Sequence, residues 1–397
     1  MSNTETNNKR AYRRCARAWR IVRPLVNVWV RLRYDFHVEE REQLEEIGGP
    51  LIIAINHANA LDPLFTSVAF RRPISFIASE HLLRVRPWGA LLDRYFCLIP
   101  HRKGAGRTGT SRACLEHLAG GAAIYLAAEG EQSWDGVSGT VKPHTGRLIK
   151  RSGATLITYR IEGAYLAGPR WSGRRRRGKV SARPVQIYKP ETLARMSEEE
   201  IEGTINRDLD FNIWNRQKEQ PGGPVRYRTG RDAAVGLEKA VCVCPSCHRL
   251  GELSAQGDTI RCSCGFSLRW TETGFFEPKE PFETIVEWEA FDREQMGGFL
   301  RDSKCEWPAD EDVTLRLVHE GHQDEPVERG ALAIRAGSRP GMSIGDWHFD
   351  FDAIEQMAMI LDKRIVFTVD GEYYELRGEH ANMRKYLTAW EILREER

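Results

Sequence analysis

No apolar stretch of the 397-residue chain approaches the ~18–20 residues that a membrane-crossing helix needs, which excludes an integral helical bundle. The N-terminal stretch lacks a compact apolar segment leading to a small-residue cleavage site, so no secretory leader is expected. An even spread of cysteines is also missing. Of the nine, five lie between Cys242 and Cys264, while Cys15, Cys97, Cys114 and Cys305 are scattered. That distribution excludes a disulfide framework and predicts a local metal pattern in a reducing cytoplasm. There is no internal repeat, and no low-complexity tract beyond the four arginines 174–177. A composition of 41% hydrophobic and 29% charged residues excludes wholesale disorder, and the length suits two or three domains, each able to bury a core.

What is present is divided unequally. The net charge of +2 is the difference of 58 basic and 56 acidic side chains. Residues 1–230 hold 38 basic and 23 acidic groups, or +15, and residues 231–397 hold the remaining 20 and 33, or −13. The first part is suited to an anionic partner and the second is not. From Lys9 to Arg33 there are nine basic residues and no acidic one, interleaved with Trp19, Ile21, Leu25, Val28 and Trp29. This pattern predicts an interfacial helix on an anionic membrane surface, interrupted or kinked at Pro24.

Continuous apolar runs at 50–55, 122–128 and 154–161 read as buried parallel strands, with a helical pattern over 110–118 between the first two. The resulting α/β domain continues to about residue 215, with a closing helix near 198–209 capped by Ser197. Gln220-Pro-Gly-Gly-Pro224 marks a linker.

Just past the first strand lies Asn56-His57-Ala58-Asn59-Ala60-Leu61-Asp62-Pro63. A histidine there occupies the place where α/β sheets bind ligands, and a carboxylate five residues on can fold back to orient the ring. Such a pair can deprotonate an incoming hydroxyl. Further along come Cys97-Leu98-Ile99-Pro100-His101-Arg102-Lys103-Gly104, then Ala128-Glu129-Gly130-Glu131-Gln132-Ser133. After these come Gly146-Arg147 and the strand 156–161.

In order and spacing this set resembles the glycerolipid acyltransferases, whose best-known members acylate lysophosphatidic acid. The resemblance spans about residues 10–215. It implies His57 as general base, Asp62 as its orienting partner, and Arg102 as the grip on the acceptor's phosphate. It also implies that Glu129 and Gly130 shape the acceptor side. Asn59 stands where the family usually has Ser, Ala127-Ala128 where it has Phe-Pro, Glu131-Gln132 where it has Thr-Arg, and Ile157-Thr158-Tyr159 where it has Val-Pro-Val. With the third block's arginine replaced by an amide, Lys142, Arg147 and Arg170 are the candidate substitutes, and another lipid hydroxyl or a glycolipid stays open as acceptor. The family's donors, acyl-CoA or acyl-carrier protein, are both implied. The run Arg170–Lys179 is expected to touch anions.

Cys244-Pro-Ser-Cys247 and Cys262-Ser-Cys264-Gly265, separated by a hairpin-like span, resemble a zinc ribbon. Four thiolates predict a closed, structural Zn2+ site, with Cys242 and His248 as spare ligands. The −13 charge of this half argues against nucleic acid. Residues 280–397 read as short strands, among them 314–318, 365–369 and 373–376, with a terminal helix over 382–393. That order resembles a pleckstrin-homology-like barrel.

The expected architecture is therefore an α/β chain with a central acyltransferase-type sheet flanked by helices. Its parts are a basic segment 1–35, the α/β domain 36–218, a linker 219–239, a zinc-ribbon-like module 240–275 and a β-rich domain 280–397. The expected function is acyl transfer from a thioester to a lysophospholipid hydroxyl at the cytoplasmic face of a membrane. The alternative is an acyltransferase-like scaffold that binds lipid or protein without turnover.

Overall fold

The computed structural model describes residues 3–45, 47–83, 88–103, 108–319 and 324–396, without the side chains of residues 3–11, 45, 88 and 108. The chain divides into two compact units. The first comprises Met1–Arg102, Gly106–Pro169 and Arg175–Arg228; the second comprises Lys103–Ala105, Arg170–Arg174 and Thr229–Arg397. The stretch 219–239 is thus shared between them.

The first unit is built on seven strands: β1 (Phe36–Val38), β2 (Leu51–Ile55), β3 (Ile74–Ser79), β4 (Ile99–His101), β5 (Ala123–Ala127), β6 (Thr155–Glu162) and β7 (Val180–Tyr188). Their order is β1-β7-β6-β2-β5-β3-β4, parallel throughout except for the β6–β7 pair. β2 lies at the centre, and all five of its residues are buried. Its unbroken Leu-Ile-Ile-Ala-Ile run follows from that position, because a central parallel strand is covered on both faces. One face packs on Ile149, Leu193, Ile201 and Ile205 of the flanking helices. The helix Glu198–Leu209 starts where the sequence predicts, in a capping box between Ser197 and Glu200.

The first helix, Asn3–Tyr34, runs unbroken through Pro24, against the predicted interruption. Pro24 is exposed, so the carbonyl deprived of its N–H partner faces water. Packing of Cys15, Trp19, Val30 and Tyr34 into the unit offsets the intrinsic cost of about 3 kcal/mol. The outer side carries Ile21 (72% exposed), Leu25 (70%), Val28, Trp29 and Leu32 (70%). Their spacing places them on one stripe, flanked by exposed Arg13, Arg17, Arg20 and Arg31. No described helix is long and apolar enough to cross a membrane. Cys15 and Cys97 form a disulfide, correcting the expectation of scattered reduced thiols: the helix brings together residues 82 positions apart.

The second unit opens with a small antiparallel ribbon: β8 (Leu253–Gln256), β9 (Thr259–Cys262), β10 (Ser267–Trp270) and β11 (Phe276–Glu277). A seven-stranded antiparallel sheet follows: β12 (Asp310–Val318), β13 (Asp324–Arg335), β14 (Gly341–Ile344), β15 (Trp347–Asp350), β16 (Gln356–Ile360), β17 (Arg364–Val369) and β18 (Glu372–Arg377). Its order, β15-β14-β13-β12-β18-β17-β16, is a four-strand and a three-strand meander joined through β12 and β18, and the helix Met383–Glu395 follows it. This is the β-rich unit with a terminal helix that the sequence predicts.

Between ribbon and sheet lies a helix, Ile285–Arg301, where the sequence reading had only short strands. Its signals are the capping box at Thr284 and Glu287 and the buried positions Ile285, Trp288, Asp292, Met296 and Leu300. The arginine run also differs from expectation. Trp171 is buried against Trp270, Arg174 pairs with Asp232, and Arg176 is buried, its guanidinium pushed down to about 10 by desolvation. It is therefore not a continuous anion-facing surface.

Candidate active site

The site is assembled by strand register. Ile55 of β2 is paired with Ala127 of β5, so His57 and Glu129, each two residues further on, leave neighbouring strands at the same level. The end of β2 is fixed on its other side by Asn56, whose buried amide makes both hydrogen bonds to the backbone of Ile161 (2.9 and 2.8 Å). The chain then turns into the helix Asp62–Ala69, opened by Asp62 with Pro63 in its first turn.

Asp62 is fully buried. Its Oδ2 accepts from His57 Nδ1 (3.0 Å) and from the backbone N–H groups of Ala58 and Asn59 (2.8 Å each). Burial raises its carboxyl above the ordinary range, opposed by the His57 ring and these two N–H groups. With Nδ1–H given to Asp62, Nε2 is the basic nitrogen of His57, and it makes no hydrogen bond to any described residue. The ring is partly exposed and borders a small pocket lined by Asn56, His57, Glu129, Ser133, Tyr165 and Phe211, among others.

Glu129 is also buried. Its Oε1 accepts from the His57 N–H (3.2 Å) and its Oε2 from the Gly139 N–H (2.9 Å). Desolvation pushes its carboxyl up to about 8 against these two donors, with a smaller push from Asp62 and Asp135. At neutral pH Glu129 is therefore largely a carboxylic acid. Gly130 has a positive φ of 76°, which lets the chain turn sharply after β5.

The substituted positions have their own partners. Gln132 donates to the Ala58 carbonyl (3.2 Å), and the Ser133 N–H donates to the His57 carbonyl (2.9 Å). Asn59 donates to the carbonyls of Ala164 (2.7 Å) and Gly168 (3.1 Å). The loop bearing His57 and Asp62 is thus tied to both neighbouring segments. None of these ties was assigned from the sequence; only the buried-amide character of Asn56 and Asn59, between an apolar run and a helix start, hinted at them.

The remaining expected residues lie further off. Arg102 leaves β4 beside Glu80, with Nε 3.7 Å from Oε1. β4 is three strands from β2, roughly 14 Å at a spacing of about 4.8 Å. Gly104, quoted with that block, lies outside the described residues. Arg147 is exposed on the helix Thr145–Ser152 and makes no described bond to the His57–Glu129 group. Arg170 belongs to the second unit, where it donates to the carbonyls of Met359 and Leu361. Cys114 is a buried core thiol.

In the second unit, the sulfurs of Cys244, Cys247, Cys262 and Cys264 all lie within 4.8 Å of one another. The cross pairs Cys244–Cys264 and Cys247–Cys262 are each 3.7 Å apart. Four thiolates about 2.3 Å from a tetrahedral ion sit at nearly that separation, so the cluster can hold a metal. Cys242 is not part of it: its sulfur lies 3.5 Å from that of Met296. His248 is hydrogen-bonded to Gln295. Asp292, on the helix Ile285–Arg301, braces the first knuckle by accepting from the N–H groups of Cys242 and Val243.

A histidine held by a buried aspartate at the carboxyl end of a central parallel strand is placed to accept a proton from a hydroxyl. Residues 35–162, from just before β1 to the end of β6, match the family model described as Acyltransferase. Among solved structures, the chain is similar to the 1-acyl-sn-glycerophosphate (LPA) acyltransferase PlsC from Thermotoga maritima. The TM-score is 0.42 and the identity 21%, over 56% of this chain and 86% of that one. No curated protein sequence matches.

Proposed function

We propose that the protein is a membrane-peripheral O-acyltransferase. It moves a fatty acyl group from a thioester, acyl-CoA or acyl-carrier protein, to a hydroxyl of a lysophospholipid such as lysophosphatidic acid. The observation that carries this reading is the 3.0 Å contact between His57 Nδ1 and the buried Asp62, which leaves Nε2 without a hydrogen-bond partner among the described residues. Nε2 takes the proton of the acceptor hydroxyl as its oxygen attacks the thioester carbonyl. The C–S bond then breaks, and the departing thiolate receives the proton from the imidazolium. Asp62 stabilises that imidazolium, and Glu129 and Gly130 border the acceptor.

The exposed apolar stripe of the first helix, with its flanking arginines, supports docking on the anionic cytoplasmic face of a membrane. Cys244, Cys247, Cys262 and Cys264 are assigned to a structural Zn2+, which would cross-link the ribbon and take no part in the chemistry.

The test is release of free thiol from an acyl thioester by the purified full chain on anionic vesicles, with lysophosphatidic acid and other lipid acceptors. Turnover should require an acceptor and should fall ~10²–10⁴-fold in His57→Ala. The neutral Gln132 favours one second reading, a lipid-binding scaffold. Vesicle binding without turnover on any acceptor, by wild type and variant alike, would establish that reading instead.

A further inference from the structure

The turn that ends β5 is covered by a cation that none of the matched blocks contains. The Lys142 N–H donates to the Ala128 carbonyl (2.9 Å), which lays this part of the chain alongside the Glu129–Gly130 turn. Its alkyl stem crosses Gly130 on the side a β-carbon would occupy, with Cγ and Cε each 3.1 Å from that position. Nζ is one bond beyond Cε. The residue is half-buried, and its ammonium makes no hydrogen bond or ion pair with any described residue.

No described acidic group forms an ion pair with it. Glu129 is engaged by two backbone N–H groups, and Gln132 is neutral and turned to Ala58. The other basic candidates are elsewhere: Arg102 is beside Glu80 three strands away, and Arg147 is exposed on its helix. A half-buried ammonium without an ion-pair contact among the described residues loses part of its hydration for little return, so its place over Gly130 suits a bound anion.

We propose that Lys142 binds the anionic headgroup of the acceptor lipid, a phosphate monoester lying beside the hydroxyl that His57 deprotonates. The assignment rests on the acyltransferase reading. The Glu129–Gly130 turn is one strand from His57, about 4.8 Å. In lysophosphatidic acid, two carbons and an ester oxygen separate the free hydroxyl from phosphorus, a comparable span. A phosphate held over Gly130 therefore leaves that hydroxyl within reach of Nε2.

The experiment compares wild type, Lys142→Ala and Lys142→Arg in the full chain, with acyl-CoA as donor. The acceptors are lysophosphatidic acid and the uncharged monoacylglycerol of the same chain length. Loss of one charge-assisted contact should raise KM for lysophosphatidic acid roughly 10–100-fold in Lys142→Ala. KM for monoacylglycerol and for acyl-CoA should stay within about twofold, and Lys142→Arg should recover most of the loss. Equal losses on both acceptors, or a raised KM for acyl-CoA, would overturn the assignment; the latter would move Lys142 to the donor's phosphates. Full turnover by His57→Ala would overturn the underlying reading instead. If wild type turns over neither lipid, equal binding of wild type and Lys142→Ala to vesicles containing lysophosphatidic acid would still refute the Lys142 contact.

Discussion

Asp62→Asn separates what the aspartate does for His57 from what it does for the fold. Oδ2 serves three donors, two of them backbone N–H groups, while Oδ1 is buried with no hydrogen-bond partner among the described residues. An amide must keep its oxygen at the Oδ2 position, because an NH₂ there would face two N–H groups. His57 then still donates from Nδ1 and keeps the same basic nitrogen. What disappears is the negative charge that steadies the imidazolium. Exchanging a charge-assisted hydrogen bond for a neutral one weakens it by about 1–2 kcal/mol, so kcat should fall roughly 5–30-fold, well short of the loss in His57→Ala.

Stability should move the other way. Because burial raises the Asp62 carboxyl, its ionisation costs the native state free energy at all pH values above the ordinary carboxylate range. The neutral amide removes that cost, and its NH₂ replaces an oxygen that was already without a partner. The expected result is a Tm at pH 7 equal to or above wild type, read by calorimetry beside single-turnover thiol release. A drop to the His57→Ala rate would show that the ring had flipped its tautomer. A Tm lowered by several degrees would show that the carboxylate is a net stabiliser. Either outcome refutes the reasoning.

The raised Glu129 carboxyl gives stability that is complete below about pH 4.5 and is lost as pH climbs through about 8. Glu129→Gln sets an NH₂ against one of the two backbone N–H groups, so the readout is the pH dependence: the Tm of wild type should fall relative to that of the variant as pH rises from 5 to 9. One zinc per chain is expected by native mass spectrometry. Stripping it with a chelator, or Cys247→Ser, should lower the Tm of the second unit. Leu25→Glu, on the exposed stripe, should weaken binding to anionic vesicles by at least tenfold in a sedimentation assay and leave the circular dichroism spectrum unchanged.

Features written in adjacent residues were legible beforehand. The runs 50–55 and 122–128 became β2 and β5 within a residue or so, because a strand covered on both faces has to be apolar throughout. Ser197 announces the cap of its helix in a single residue. His57 and Asp62 were visible for the same reason, being five residues apart.

What stayed hidden depends on partners distant in sequence. The continuity of the first helix through Pro24 is decided by what Trp19 and Val30 pack against. The Cys15–Cys97 bond and the Asn56–Ile161 pair join residues 82 and 105 positions apart. The helix Ile285–Arg301 has Gly297-Gly298 near its end, a pair that lowers its helical propensity. Lys142 has no local signature, since its position over Gly130 follows from a loop returning to the end of β5.

The central place of β2 also constrains how the protein is made. Its partners β5 and β6 are both synthesised later, and His57 therefore leaves the ribosome long before Glu129 and Ile161 can fix the loop that bears it. Until β5 is available, the strand leading to His57 is an apolar segment with two unpaired edges, and until β6 is available it keeps one, a demanding interval for a non-local parallel sheet. Nascent chains arrested before residue 155 should be cut by protease within or beside β2, and chains arrested well past β7 should resist. The order of synthesis would then make acquisition of the active site one of the last events in folding the first unit.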